Sequence, residues 1–187
     1  MRKVLLFVIA LMAAGCLQAA AQDNKEDREL SREEQRLLQE KIDSVQHAAA
    51  LEAMRDTSFT LEADHVVFKY GQRAYVSSST NFVSIRGDKA TVQVSFNIPV
   101  AGPNGMGGIT LDGNVTDYKM KTDNKGNTFL TANVMGTAIS AQLSIMLPAG
   151  TNNATVDVLP TFSSNRISLV GTILPADQSF TVKGRSI

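Results

Sequence analysis

The chain has 187 residues, 18 basic and 18 acidic side chains, two His, one Cys and no Trp. That length fits one compact domain with an appendage, and a formal charge of zero supplies no field for steering nucleic acid. The single cysteine is Cys16, so the remaining chain has no disulfide, thiol nucleophile or cysteine-based zinc cluster, and no cofactor motif is present.

Met1-Arg2-Lys3 is a basic start, Val4 to Gly15 is a nearly uninterrupted apolar run, and small residues follow from Ala13 to Ala21. This pattern reads as an export signal peptide over residues 1–21. The apolar run falls short of the roughly 20 residues of a membrane-spanning helix, and no later segment is long and apolar enough to span. Two processing routes are open. Ala19-Ala20-Ala21 supplies the small residues for cleavage before Gln22. Ala13-Ala14-Gly15-Cys16 reads instead as a lipobox, with Cys16 the candidate lipidation site and lipid anchor; the larger aliphatic residue usual at its first position is replaced by Ala13. A soluble chain released to the periplasm or outer envelope is the better fit.

Residues 22–56 are charged, with 10 acidic and 6 basic groups. Ser31-Arg32-Glu33-Glu34 forms a capping box, and Leu38, Ile42, Val45 and Ala49 recur in steps of four, three and four. The spacing predicts an amphipathic helix over 32–55 with one apolar stripe. Two heptads are too few for a stable coiled coil, so the helix is expected to lie on the following domain or to stand partly free.

From residue 57 the period changes to two. Phe59, Leu61 and Ala63 alternate with polar residues; Val66, Phe68 and Tyr70 follow, then Phe82 with Val83 and Ile85 on the other parity. Ala90, Val92, Val94, Phe96 and Ile98 form the clearest strand, and further strands are read at 109–119, 128–135, 138–147, 154–159 and 166–174. Turn residues punctuate them at the spacing of all-β domains. The prediction for 57–187 is an antiparallel sandwich or barrel of about 8–10 strands. Helical crossovers are missing, which excludes an α/β nucleotide-binding fold. A lipid-spanning barrel is disfavoured by the absence of Trp, by only three Tyr and by the final Ile187.

The most unusual stretch is Pro99-Val100-Ala101-Gly102-Pro103-Asn104-Gly105-Met106-Gly107-Gly108. It lacks the Lys-Ser/Thr ending of a phosphate loop and runs into a strand, so nucleotide binding is rejected. Asn104 and Met106 are candidate ligand- or partner-contacting residues, against the alternative of a shaped connection plugged by Met106. This loop with Ile109-Thr110-Leu111-Asp112-Gly113, preceded by Thr80-Asn81-Phe82-Val83 and Thr91-Val92-Gln93, resembles a family of exported Bacteroidetes proteins with a domain of unknown function. Ile167 to Pro175 resembles the same family's last segment, so the likeness spans about residues 57–180. The resemblance implies an envelope location and carries over no catalytic residue. Asn81, inside the resembling segment, joins Asn104 and Met106 as a candidate contact.

The other motifs have plainer readings. Asp123-Asn124-Lys125-Gly126-Asn127 reads as a hairpin turn, since Lys125 stands where a calcium loop needs a donor. Asp64-His65 is half of an acid/base pair without a third member, and His47 falls among solvated helix residues. These observations lead to the expectation of a non-catalytic envelope protein that binds a small ligand or an envelope partner through its β domain. Two alternatives remain: a hydrolase of envelope or extracellular glycans or esters, and an assembly subunit that pairs with copies of itself.

Overall fold

The computed structural model describes residues 31–95, 108–161 and 166–184. The chain divides into two compact units after Ile42. Residues 31–55 are helical (α1). In the first unit, α1 carries Arg36 Nε 3.4 Å from Glu40 Oε1 one turn on, and Leu37 and Leu38 are exposed.

In the second unit, residues 43–55 of α1 are followed by β1 (Ser58–Val67), β2 (Arg73–Tyr75), β3 (Phe82–Arg86), β4 (Lys89–Ser95), β5 (Gly108–Thr122), β6 (Thr128–Gly136), β7 (Ser140–Leu147), β8 (Asn153–Pro160) and β9 (Ile167–Pro175). Neighbours pair antiparallel in the order β1-β3-β4-β5-β6-β7-β8-β9, and β9 returns to pair with β1. Of the two expected architectures the barrel is the one formed: eight strands closed, plus β2. Closure depends on β1. One edge pairs with β9 from Phe59 to Val67, while the other pairs with β3 from Ser58 to Glu62 and with β2 from His65 to Val67.

Closure also needs tight bends. The β1–β9 register shifts between Ala63 and His65, a bulge that coils the strand. Ala63 lies opposite Gly171, where a Cβ would stand 1.9 Å from the Glu62 carbonyl oxygen. Only glycine lets β9 pass this close.

The strand period decides what fills the barrel. Phe59, Leu61, Ile85, Leu130, Leu143, Ile145, Leu147, Leu169 and Ile173 point inward and are almost wholly buried, while Lys89, Asp112, Lys119, Lys121 and Asp157 stand on outward positions. A lipid-spanning barrel has the opposite arrangement, an apolar band outside and a polar interior. Among the described residues no helix is long and apolar enough to cross a membrane.

The helix meets the barrel through a different face from the one its periodicity suggests. Ala50, Ala53 and Met54 are buried in the core, with Leu51 against them, whereas Val45 of the expected stripe stays exposed. The last two turns bring small alanines that permit close approach to the barrel end carrying the β3–β4 and β7–β8 turns. His47, expected among solvated residues, contacts the Thr151 carbonyl oxygen through Nδ1 at 2.7 Å. Gly87 N donates to Thr57 O at 2.8 Å on the other side.

A second bulge completes the joint. The β5–β6 register shifts between Thr116 and Lys119, Asp117 takes φ 54°, and the Tyr118 hydroxyl donates to the Met54 carbonyl near the end of α1. The Met54 carbonyl, which also accepts from Thr57 N at 3.3 Å, thereby gains a second donor at the helix end. Burial pushes the Tyr118 phenol far above its ordinary value of 10.0.

Two outcomes follow from this packing. Gly171→Ala should cost at least about 2 kcal/mol in urea unfolding, because neither flanking backbone can move without opening the β1–β9 seam. Tyr118 has a raised folded-state pKa, so its stabilisation is complete below pH 10 and is lost as pH rises above it. Tyr118→Phe should cost about 1 kcal/mol at neutral pH and flatten that alkaline decline in a pH series of denaturation curves.

Candidate functional site

Three of the residues singled out from the sequence, Cys16, Asn104 and Met106, lie outside the described residues. Asn81 is buried just before β3. Its Nδ2 donates to Ser77 O at 3.0 Å and its Oδ1 accepts from Ser95 N at 2.7 Å, so the side chain bridges the start of β3 to the end of β4. Asp64 sits at the β1 bulge and its carboxylate contacts His65 Nδ1. The His65 ring centroid is 6.0 Å from that of Tyr75; among the described residues no hydroxyl is bonded to the ring's other nitrogen. Asp123 accepts from Lys125 N at 2.8 Å, Asn127 N at 2.9 Å and Asn127 Nδ2 at 2.9 Å. The Asn127 side-chain bond, helped by the backbone bonds, holds its carboxyl below the usual range. Gly126 follows at φ 84°, the geometry of the expected turn. Among the described residues no three His, Cys, Asp or Glu side chains group to hold a metal.

The chemistry gathers instead on the outer wall of β1, β3, β4 and β5. Pairing places outward residues in rows: Glu62, Phe82, Gln93 and Thr110 form one, and Thr60, Ser84, Thr91 and Asp112 the next. A third row holds Ser58, Arg86, Lys89 and Asn114. In the first row Phe82, Gln93 and Thr110 are buried and Glu62 half-buried although the row faces away from the core, because the C-terminal segment 177–184 crosses it as a strap. Glu62 Oε1 accepts from Ser179 Oγ at 2.8 Å and from Phe180 N at 3.0 Å. Val182 N donates to Ser79 O at 2.7 Å.

Gln93, wholly buried, is the clasp. Its Nε2 donates to Thr80 O at 2.9 Å and Val182 O at 2.8 Å; its Oε1 accepts from Thr110 Oγ1 at 3.0 Å and Gly184 N at 2.7 Å. All four hydrogen-bonding positions of the amide are filled. The strap accounts for Phe82, an outward residue that is nonetheless buried.

Beside the strap the third row is exposed, and of the second row Ser84, Thr91 and Asp112 are half-buried while Thr60 is fully buried. A basin of about 540 Å³ is lined by Lys89, Thr91, Asp112, Asn114, Thr137 and Lys183, with Met135 at its side. Gly113 and Gly136 face each other on its floor. A Cβ on Gly113 would come within 2.6 Å of the Met135 carbonyl group, so glycine answers the strand approach and leaves bare peptide beneath the basin. Lys183 Nζ lies 2.6 Å from Asp112 Oδ2, Thr91 Oγ1 donates to Asp112 Oδ1 at 2.6 Å, and Lys89 Nζ donates to Asn114 Oδ1 at 2.5 Å. A smaller hollow of about 180 Å³ shares Lys89, Thr91 and Lys183 and adds Arg86, Ser84 and Thr181. At the barrel end opposite the helix, Val92, Val94, Leu111, Ile139, Val158 and Ile167 line an apolar recess of about 110 Å³.

Of the polar basin residues, the sequence reading quotes Thr91 and Asp112 only within the segments that carry the family resemblance and gives neither a role. The signal for the others was the strand pairing itself: a β4–β5 hairpin aligned by its alternating faces sets Thr91 across from Asp112 and Lys89 across from Asn114. No periodicity could have added Lys183, which arrives on a segment without regular structure. Replacing Gln93 by Leu should leave Val182 O and Gly184 N without their partners. The Val182 and Gly184 amides should then exchange at least about tenfold faster in hydrogen-exchange NMR, with the β6–β8 amides unchanged.

Comparison with known proteins gives a family and a fold. The family described as "Domain of unknown function (DUF4251)" matches residues 41–173. A crystal structure of a DUF4251 family protein from Bacteroides eggerthii is similar to the chain, with 45% sequence identity and a TM-score of 0.67, over 75% of this chain and 94% of that one. No curated protein matches. With the family match extending over most of the chain, including the segments that carry all the basin residues except Lys183, the protein belongs to the DUF4251 family.

Proposed function

We propose that the protein is exported to the cell envelope and works there as a non-catalytic binding module, with the outer-wall basin as its recognition site. The observation that carries this reading is the convergence of Lys89, Asp112, Asn114, Thr137 and Lys183, from two strands, a turn and the strap, on one open basin. Its volume falls within the roughly 300–1,000 Å³ range of small-molecule sites. Export draws its support from the basic start and apolar run of residues 1–15 and the small residues up to Ala21.

A second reading, assembly with another copy, has one observation behind it: Leu38, Ile42 and Val45, spaced along α1 as a helical stripe, are 61%, 42% and 70% exposed. Light scattering on the full chain separates the two, since a monomer at high concentration removes the assembly reading.

Cell fractionation with mass measurement of the processed protein tests export, with the chain expected in the envelope fraction and starting at Gln22 or at a lipid-modified Cys16. A cytoplasmic chain with residues 1–21 intact would refute it. Binding is tested by adding pooled small molecules from the envelope to ¹⁵N-labelled protein. Shifts should centre on Lys89, Asn114 and Thr137, and Thr137→Trp, which fills the basin, should abolish them. Turnover of a glycan, ester or peptide substrate, lost on replacing one carboxylate or serine, would transfer the assignment to a hydrolase.

A further inference from the structure

The charges around the basin are arranged at a cost to the fold. Arg86 and Lys89 are direct cross-strand partners beside the β3–β4 turn, and like charges in that position destabilise a sheet. The ion pairs among the described residues include neither Arg86 nor Lys89. The Arg86 Nη2 donates to the Ala176 carbonyl oxygen at 2.8 Å and Lys89 to the neutral amide oxygen of Asn114. The strap then brings a third cation, Lys183, to the same hollow.

Hydroxyls stand among these cations. Ser84 Oγ accepts from Thr60 Oγ1 at 2.9 Å, which leaves the Ser84 hydroxyl proton to donate elsewhere, and Thr181 lies on the hollow's rim. Donors therefore outnumber acceptors in the small hollow. The adjoining large basin has a different character: Asn114 and Thr137 offer neutral hydrogen bonds, Met135 an apolar edge, and the glycine pair a bare floor. The two depressions meet at Lys89, Thr91 and Lys183.

Resting on the binding-module reading above, we infer that the ligand is an acidic sugar or a close chemical relative: a carboxylate or phosphate head held by Arg86, Lys89 and Lys183 in the small hollow, joined to a hydroxylated body in the large basin. The oxyanion supplies the negative charge that the Arg86–Lys89 pair lacks. Guanidinium and ammonium donors form the stronger, charge-assisted class of hydrogen bonds to such a group. Asp112, held by Thr91 and Lys183, keeps the Lys183 ammonium at the junction and gives the ring hydroxyls an acceptor.

Calorimetry and amide-shift mapping on the full chain, as its host processes it, test this with four probes: glucuronic acid, glucose 6-phosphate, inorganic phosphate and glucose. The two acidic sugars should bind with shifts at Ser84, Lys89, Asn114 and Thr137, at least about tenfold more tightly than glucose, and more weakly as salt rises. Lys89→Glu should abolish that binding, while Lys89→Arg should hold it within about threefold because the charge is kept. Arg86→Gln should weaken it about tenfold.

Each contrary result removes a definite part. Glucose binding as tightly as the acids, or Lys89→Glu without effect, overturns the acidic-ligand inference and leaves the binding module standing. Inorganic phosphate binding as tightly as the sugar phosphate overturns the role of the large basin. If none of the four probes binds but an envelope molecule still shifts the basin, only the acidic-sugar class falls. Silence from both sets of molecules removes the inference and the binding reading together.

Discussion

The barrel depends on β1 having three partners. Eight strands close only if the first and last meet, and β1 meets β9 along nearly its whole length while dividing its other edge between β3 and β2. The bulge after Ala63 and the bare backbone of Gly171 make that geometry attainable, since a strand that coils this sharply cannot keep a regular ladder or tolerate a Cβ at the crossing. With the seam closed the first and last strands of the barrel have no free edge facing each other, and the inward residues of all eight strands share one core.

What happens outside the barrel follows from what closure leaves uncovered. One end receives the last turns of α1, fixed by Met54 and by the Tyr118 hydroxyl. One stretch of wall receives the strap, which turns an outward row of Phe82, Gln93 and Thr110 into a second, mostly polar interior. A buried amide is tolerable there because every donor and acceptor has a partner; a half-satisfied one would not be. The strap is at the same time a wall of the basin, since Lys183 belongs to both. Basin shape and strap docking are in this way one structural feature.

Much of this was legible in the chain and some was not. The alternation of Ala90, Val92 and Val94 against Thr91 and Gln93 gave β4 its buried and outward faces, and the predicted strands at 128–135, 138–147 and 154–159 agree with β6 to β8 within two residues at either end. The helix was legible from its capping box and spacing, but its buried face was not. Ala50, Ala53 and Met54 are weaker hydrophobic signals than Leu38, Ile42 and Val45, and which face packs depends on the surface it meets. Phe82 shows the same limit from the other side, an outward aromatic residue whose burial comes from a segment remote in sequence. The glycine-rich connection that the sequence reading singles out lies outside the described residues up to Gly107; among the described residues the polar convergence lies on the wall between β4 and β6.

Periodicity and turn chemistry are local properties, set by the two-residue repeat of a strand and the few residue types that fit a turn, so the sequence by itself determined an antiparallel, meandering β domain behind one helix. Closure was a different matter. A sandwich and a barrel use the same alternation, and only the pairing of Leu61 with Ile173 and Val66 with Leu169 distinguishes them. The tertiary structure alone decided that seam, the strap over Gln93, and the meeting of Arg86, Lys89 and Lys183 around one hollow. Each is a contact between remote segments, and their approach is fixed by packing the whole core at once.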